Sequence, residues 1–291
     1  MKINFDEGFC KITDLEEFDP RDIFTCGQAF RWYEEEDGSF SFVTHGIVAN
    51  AKKVGDEIIL KGVDEKSFDE IFYNYFDLSR DYKIVMEELS QDEIMKRATE
   101  YGKGIRILNQ DKFETIISFI ISANNQIPRI QKAIEKISEM YGDYLGEDEN
   151  RKYYSFPSQD QLALAKPEDL REFARVGFRD KRIVEASKLI ASGQVDISKI
   201  ENMDLEDARK ELQILPGVGP KVADCILLFA FDRKESFPVD VWIKRVMEEL
   251  YLKEVTPKSN IAMRGREVFG KNAGFANQYL FYYGRENKLG K

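Results

Sequence analysis

The string Leu215-Pro216-Gly217-Val218-Gly219-Pro220-Lys221-Val222-Ala223-Asp224-Cys225 constrains this chain more than any other stretch of it. Two glycines around a valine let the backbone turn tightly, with positive φ where needed, and a helix is predicted to follow from about residue 219. The start of such a helix presents bare N–H groups that can hold a phosphate. Lys221 falls in the first turn, where the positive end of the helix dipole and burial both disfavour an ammonium. A second string, Phe237-Pro238-Val239-Asp240-Val241-Trp242, sets a carboxylate nineteen residues further on, ahead of a helical run that Asp240 is placed to cap.

An ordinary lysine titrates near ~10.4, so only about one in 10³ is free amine at neutral pH. A lysine that attacks carbon needs that fraction raised; burial and the helix N-terminus would lower its pKa, a carboxylate beside it would raise it, and residue order leaves open which effect prevails. A lysine after an isolated hairpin more often pairs with a phosphate, and an isolated Pro-Val-Asp more often only caps a helix. The chemical reading therefore depends on what accompanies the two strings.

At 291 residues and 43% hydrophobic content the chain can bury a sizeable core and is expected to form two domains. Runs of about 18 apolar residues are absent and the N-terminus has no apolar signal region, which predicts a cytoplasmic protein without a membrane partner. Cys10, Cys26 and Cys225 are too few and too scattered for a disulfide framework or for a four-thiolate zinc or iron–sulfur site. The net charge of −10 runs against non-specific duplex binding, which comes largely from neutralising phosphates. Much of that charge sits in solvent-facing clusters such as 34–37 and 146–149, and backbone N–H groups can supply phosphate contacts.

Residues 1–63 read as strands: Phe30-Arg31-Trp32-Tyr33 and Phe40-Ser41-Phe42-Val43 flank a turn at 36–39, and another turn at 54–56 leads to Ile58-Ile59-Leu60. From Ser67 the period is helical. Asp111 with Glu114 resembles a capping box, Pro128 starts a helix running to Gly142, and further helices are predicted at about 159–165, 168–176, 180–192, 204–214, 219–232, 240–252, 260–269 and 273–286. Gly177, Gly193 and Gly217 serve as stops, and the acidic, tyrosine-containing piece 144–154 reads as a surface loop. The expected fold is α+β: a small antiparallel β-sheet domain with flanking helices over 1–104, followed by an all-α domain over 105–291.

Further blocks lie in order along the chain at 26–32 (CGQAFRW), 121–129 (ISANNQIPR), 176–182 (VGFRDKR) and 273–281 (AGFANQYLF). Together with the hairpin and the Pro-Val-Asp string they resemble the 8-oxoguanine DNA glycosylase/AP lyase family of the helix-hairpin-helix glycosylases, and a bacterial member of it. The resemblance implies a bifunctional enzyme of base excision repair that flips 8-oxoguanine out of double-stranded DNA, preferentially opposite cytosine. It makes Lys221 the Schiff-base nucleophile and Asp240 its electrostatic and proton-handling partner. Gly27 corresponds to a glycine whose carbonyl accepts the N7 proton that distinguishes 8-oxoguanine from guanine, while Cys225 and Phe281 correspond to the two faces of a base sandwich. Asn124 is placed as the plug, Phe178 as the wedge, and Arg129 and Arg179 as donors to the orphaned cytosine. Gly217, Gly219, Val222 and Trp242 are expected against DNA phosphates.

Two departures stand out. Where the family often reads the purine edge with a glutamine, this chain offers Asn277 followed by Gln278, and where relatives commonly carry a histidine near the DNA backbone it has Trp242. The implied chemistry calls for no cofactor and no metal, and the protein is expected to act as a monomer. The rival readings are a monofunctional alkylpurine DNA glycosylase, against which Lys221 argues, and a non-enzymatic helix-hairpin-helix DNA-binding module.

Overall fold

Apolar side chains alternate with polar ones through the early strands, which gives a sheet with one buried face. In the computed structural model, which describes residues 1–288, the sheet has six strands: β1 (Lys2–Asp6), β2 (Phe9–Thr13), β3 (Trp32–Glu34), β4 (Phe40–Thr44), β5 (Ile47–Val54) and β6 (Glu57–Lys61). All neighbours are antiparallel, in the order β1-β2-β6-β5-β4-β3. The register sets Cys10 against Leu60, Leu60 against Ala51, and Phe40 against Ala51, so large and small side chains alternate across the inner face.

A helix at Pro20–Thr25 interrupts the stretch that reads as strands. Six residues are too few to display a helical period, although the start signal is present: the Asp19 carboxylate accepts the Arg21 N–H at 2.9 Å and Pro20 occupies the first turn. Phe24 packs on Phe40 and Phe42 with ring centroids 5.8 and 4.8 Å apart, which fastens the helix to the sheet. Its C-terminal end then delivers Cys26 and Gly27 to the helical part of the molecule.

The piece 144–154 is not a loop. It forms a two-stranded hairpin, β7 (Tyr144–Glu147) with β8 (Lys152–Tyr154). Its acidic composition suggested a solvated loop, but the tyrosines pair across the strands and into the protein. Tyr144 and Tyr154 lie 5.7 Å apart, Tyr153 is buried, and the Arg151 guanidinium stacks 4.1 Å from the Tyr33 ring.

The rest is helical. Helices Tyr82–Leu89 and Glu93–Tyr101 turn Tyr82, Val85, Met95 and Ala98 into the helical core, where Glu93–Tyr101 packs against Ala273–Glu286. Helices expected at 180–192, 219–232 and 273–286 are observed at Asp180–Ala191, Pro220–Ala230 and Ala273–Glu286. The one expected at 240–252 is α-helical only over Val241–Val246 and widens into a π-helical segment, Met247–Leu252. Gly177, Gly193 and Gly217 all adopt positive φ.

Arg31 ties the sheet to the helices. It is buried, its Nε lies 3.0 Å from Glu135 and its Nη2 donates to the Tyr154 carbonyl at 2.6 Å. Half of the predicted capping box forms, with Asp111 accepting the Glu114 N–H at 2.8 Å. The Glu114 carboxylate instead approaches Arg31 at 3.9 Å, and burial pushes its pKa up to about 7.

Candidate active site

Helices Leu205–Leu212 and Pro220–Ala230 form the hairpin on which the site is built. Gly217 has φ +93°, and a Cβ there would lie 3.2 Å from Arg182 Cδ and 3.3 Å from Ile120 Cγ2. Both the backbone conformation and the space demand glycine. Gly219 does not use the left-handed region. It is the N-cap residue, in extended conformation at φ −96° and ψ −179°, and its missing side chain leaves open the approach to the first helical turn. No side chain caps this helix, so the N–H groups of Lys221 and Val222 are available to an anion.

Four distant chain segments meet in one pocket. Lys221 and Cys225, one turn apart on the second hairpin helix, face Asp240 from the Pro-Val-Asp loop, Gly27 from the sheet domain, and Asn277, Gln278 and Phe281 from helix Ala273–Glu286. Phe119 and Phe229, stacked at 5.6 Å, extend the apolar wall, with the Lys221 ammonium 5.5 Å from the Phe119 ring. Asp240 caps its helix as expected, accepting the Ile243 N–H at 2.7 Å. Gly27 has φ +86°, and a Cβ on it would lie 3.0 Å from the Phe281 ring, so this position too admits only glycine without strain. Both amides are anchored: Asn277 donates to the Pro238 carbonyl at 2.9 Å and Gln278 to the Cys26 carbonyl at 2.8 Å.

Opposing influences meet at Lys221. Burial pushes its pKa down, but Cys225 and Asp240 push it up, and the balance lies above the ordinary lysine value. The Cys225 thiol is itself pushed up to about 11 by burial, with the Lys221 beside it pulling the other way. Any proton on Lys221 must leave before its amine can attack.

The predicted opposite-strand residues lie outside this pocket. Asn124 is exposed with φ +53°, a left-handed conformation that asparagine tolerates better than most residues. Arg129 is exposed in the first turn of helix Ile127–Tyr141, and Phe178 is 56% exposed. Arg179 is only 6% exposed. Its guanidinium donates to the carbonyls of Ala123, Asn124 and Val176, so in the free protein it braces the Asn124 turn instead of offering its fork to solvent. Both Arg179 and Arg182 stack near the Phe178 ring, at 4.4 and 5.1 Å. Trp242 is partly exposed beside Asp240, with Arg245 5.5 Å from its ring. Among the described residues no group of three His, Cys, Asp or Glu side chains is placed to hold a metal ion.

Sequence reasoning overlooked Asp224 although it lies within the hairpin string. It is buried, and its Oδ1 meets Arg209 Nε at 2.9 Å, which braces the two hairpin helices against each other. Burial raises its pKa to about 6 despite Arg209 and Arg266. Asp224→Ala is expected to remove the buried partner of Arg209, leaving it Glu206 at 2.9 Å, and to cost about 3 kcal/mol. A thermal melt should then fall by roughly 5–10 °C. A shift under about 2 °C would mean that Glu206 suffices for Arg209 and that the brace contributes little.

A lysine and a carboxylate facing one pocket at the mouth of a helix-hairpin-helix define a class of DNA-base-removing enzymes. Residues 117–271 match the HhH-GPD superfamily of base excision DNA repair proteins, and residues 12–116 match the N-terminal domain of 8-oxoguanine DNA glycosylase. The chain belongs to the 8-oxoguanine DNA glycosylase family. An 8-oxoguanine glycosylase/lyase from Clostridium acetobutylicum, solved with double-stranded DNA containing cytosine opposite 8-oxoguanine, is 40% identical, superimposes with a TM-score of 0.96 and shares 99% coverage of both chains. A probable N-glycosylase/DNA lyase of Methanothermobacter thermautotrophicus is 33% identical over 249 residues, 78% of each chain. An N-glycosylase/DNA lyase of Saccharomyces cerevisiae is 28% identical over 278 residues, covering 82% of this chain and 72% of the yeast protein. No helix among the described residues is long and apolar enough to cross a membrane.

Proposed function

We propose that this protein is a bifunctional DNA glycosylase/AP lyase that removes 8-oxoguanine, preferentially opposite cytosine, in base excision repair. The observation that carries the reading is the single pocket in which Lys221, Asp240, Gly27, Cys225 and Phe281 converge. A base flipped into it is stacked between Phe281 and the Cys225 side, with its N7–H directed to the Gly27 carbonyl. Asn277 and Gln278 stand on the wall where a purine edge is read.

Lys221 first gives up a proton, for which Asp240 is the neighbouring base. Its Nζ then bonds to C1′ as the bond from C1′ to N9 breaks and the electron pair leaves with the base, which takes up the proton that Asp240 had received. Asp240, returned to a carboxylate by that transfer, stabilises the positive charge that grows on the sugar. Opening of the sugar ring leaves an iminium, removal of a C2′ proton expels the 3′ phosphate, and water hydrolyses the iminium to free Lys221. The Gly217–Val222 turn and Trp242 hold phosphates, Asn124 fills the gap left by the flipped nucleotide, and Phe178 opens the opposite strand. Arg129 donates to the orphaned cytosine while Arg179 holds the Asn124 turn in place and joins it on the base. The division at residues 104 and 105, a monomeric state and a cytoplasmic location complete the reading.

Duplexes with 8-oxoguanine opposite each of the four bases, with and without borohydride, test it directly. Free base and a reduced protein–DNA adduct are expected, with cytosine preferred. Base release without an adduct would favour monofunctional chemistry, and no release from any lesion duplex would favour a binding module. Arg129→Ala is expected to reduce the preference for cytosine by about tenfold, one good recognition contact. An unchanged preference removes Arg129 from the site.

A further inference from the structure

The turn from Thr25 to Gln28 has four consecutive carbonyls that are treated unequally. Arg285 Nη2 donates to the Thr25 carbonyl at 2.7 Å, Gln278 Nε2 to that of Cys26 at 2.8 Å, and Gln110 Nε2 to that of Gln28 at 2.9 Å. Among the described residues the Gly27 carbonyl receives no donor, although Gly27 lines the pocket.

We infer that Gln278 and Arg285 form a strap that positions the Gly27 carbonyl against the flipped base and so sets the selectivity for 8-oxoguanine over guanine. The inference rests on the base-pocket reading above. Residues 278, 282 and 285 fall along one stripe of helix Ala273–Glu286, and that stripe faces the turn. Tyr282 joins it through a hydrogen bond of 3.1 Å to Asp22. The far side is fixed by Gln28, fully buried, whose Nε2 donates to the carbonyls of Ile23 at 2.9 Å and Arg106 at 2.8 Å while its Oε1 accepts the Leu108 N–H at 2.8 Å.

The same helix carries Phe281, whose ring lies against Gly27. Stacking surface and carbonyl acceptor are thereby held at a constant separation by one rigid element. A single acceptor can discriminate strongly only when it cannot retreat from the lone pair that guanine presents at N7, and a turn tied at three of its four carbonyls has little freedom to retreat. Gln278 acts on Gly27 through the N–H that Cys26 engages, while its second N–H and its Oε1 remain at the pocket wall. Arg285 lies outside the pocket lining and reaches the site through the turn and through the Phe281 ring, 5.4 Å from its guanidinium, the two groups that the strap holds together.

The test compares single-turnover excision of 8-oxoguanine opposite cytosine with cleavage of a preformed abasic site opposite cytosine, which needs the lysine but not the base acceptor. Arg285→Met and Gln278→Met are each expected to lower the ratio of excision to abasic cleavage at least about tenfold, the scale of one hydrogen bond whose loss leaves an acceptor misplaced. The double variant should fall no more than about threefold below the worse single, because both side chains hold one turn. Arg285→Lys, which restores a donor, should recover most of the lost ratio. Excision and abasic cleavage falling together, or losses that multiply in the double variant, overturn the strap. Wild-type protein that releases no 8-oxoguanine overturns both this inference and the function it rests on, whereas active wild type with an unchanged ratio in both variants overturns the strap alone.

Discussion

Lys221→Gln is expected to lower excision of 8-oxoguanine by about 10⁴-fold or more and to abolish the borohydride-trapped adduct. Glutamine preserves most of the length and packing of the side chain while removing the one amine that lines the pocket among the described residues. Duplex binding should persist, because the proposed phosphate contacts come from the turn's N–H groups and not from this side chain. Single-turnover assays with a gel-shift control measure both quantities. An adduct that survives in this variant would place the Schiff base on another amine and remove Lys221 from the mechanism.

Asp240→Asn should act on the two halves of the reaction in opposite directions. Asparagine caps helices about as well as aspartate, so the Ile243 N–H keeps a partner and the fold is retained. Loss of the carboxylate removes the charge that stabilises the developing cation, and base excision is expected to fall by about 10²–10³-fold. The same loss removes an influence that raises the Lys221 pKa, so that pKa falls and the free-amine fraction near neutral pH rises. Cleavage of a preformed abasic site should therefore begin its rise at lower pH than in wild type. Its pH profile is the measurement. A profile that keeps its position while both activities drop would mean that Asp240 does not govern the proton on Lys221.

Much of this could be read from residue order because the informative features are local. The hairpin glycines, the Pro-Val-Asp string and the period-2 and helical patterns are each decided within a dozen residues, where backbone sterics and capping dominate. The errors have physical causes of the same kind. The Pro20–Thr25 helix is too short to repeat its pattern, and the strands at 144–154 are held by tyrosine pairs and by Arg151 on Tyr33, contacts that an acidic composition conceals. Asp224 was passed over because nothing in its neighbours announces that Arg209 will meet it.

Sequence alone determined an α+β chain with a phosphate-holding turn, a lysine one step into a helix, a carboxylate beyond it and a set of companion residues in the right order. Only the tertiary structure decided that Cys225 and Asp240 oppose the effect of burial on Lys221, that Arg179 is turned inward, and that among the described residues the Gly27 carbonyl is the one in its turn left without a donor. Turns and helix faces follow from neighbours along the chain. Protonation and the availability of an acceptor follow from which charges and donors arrive out of distant segments, and that is known only once the segments are packed.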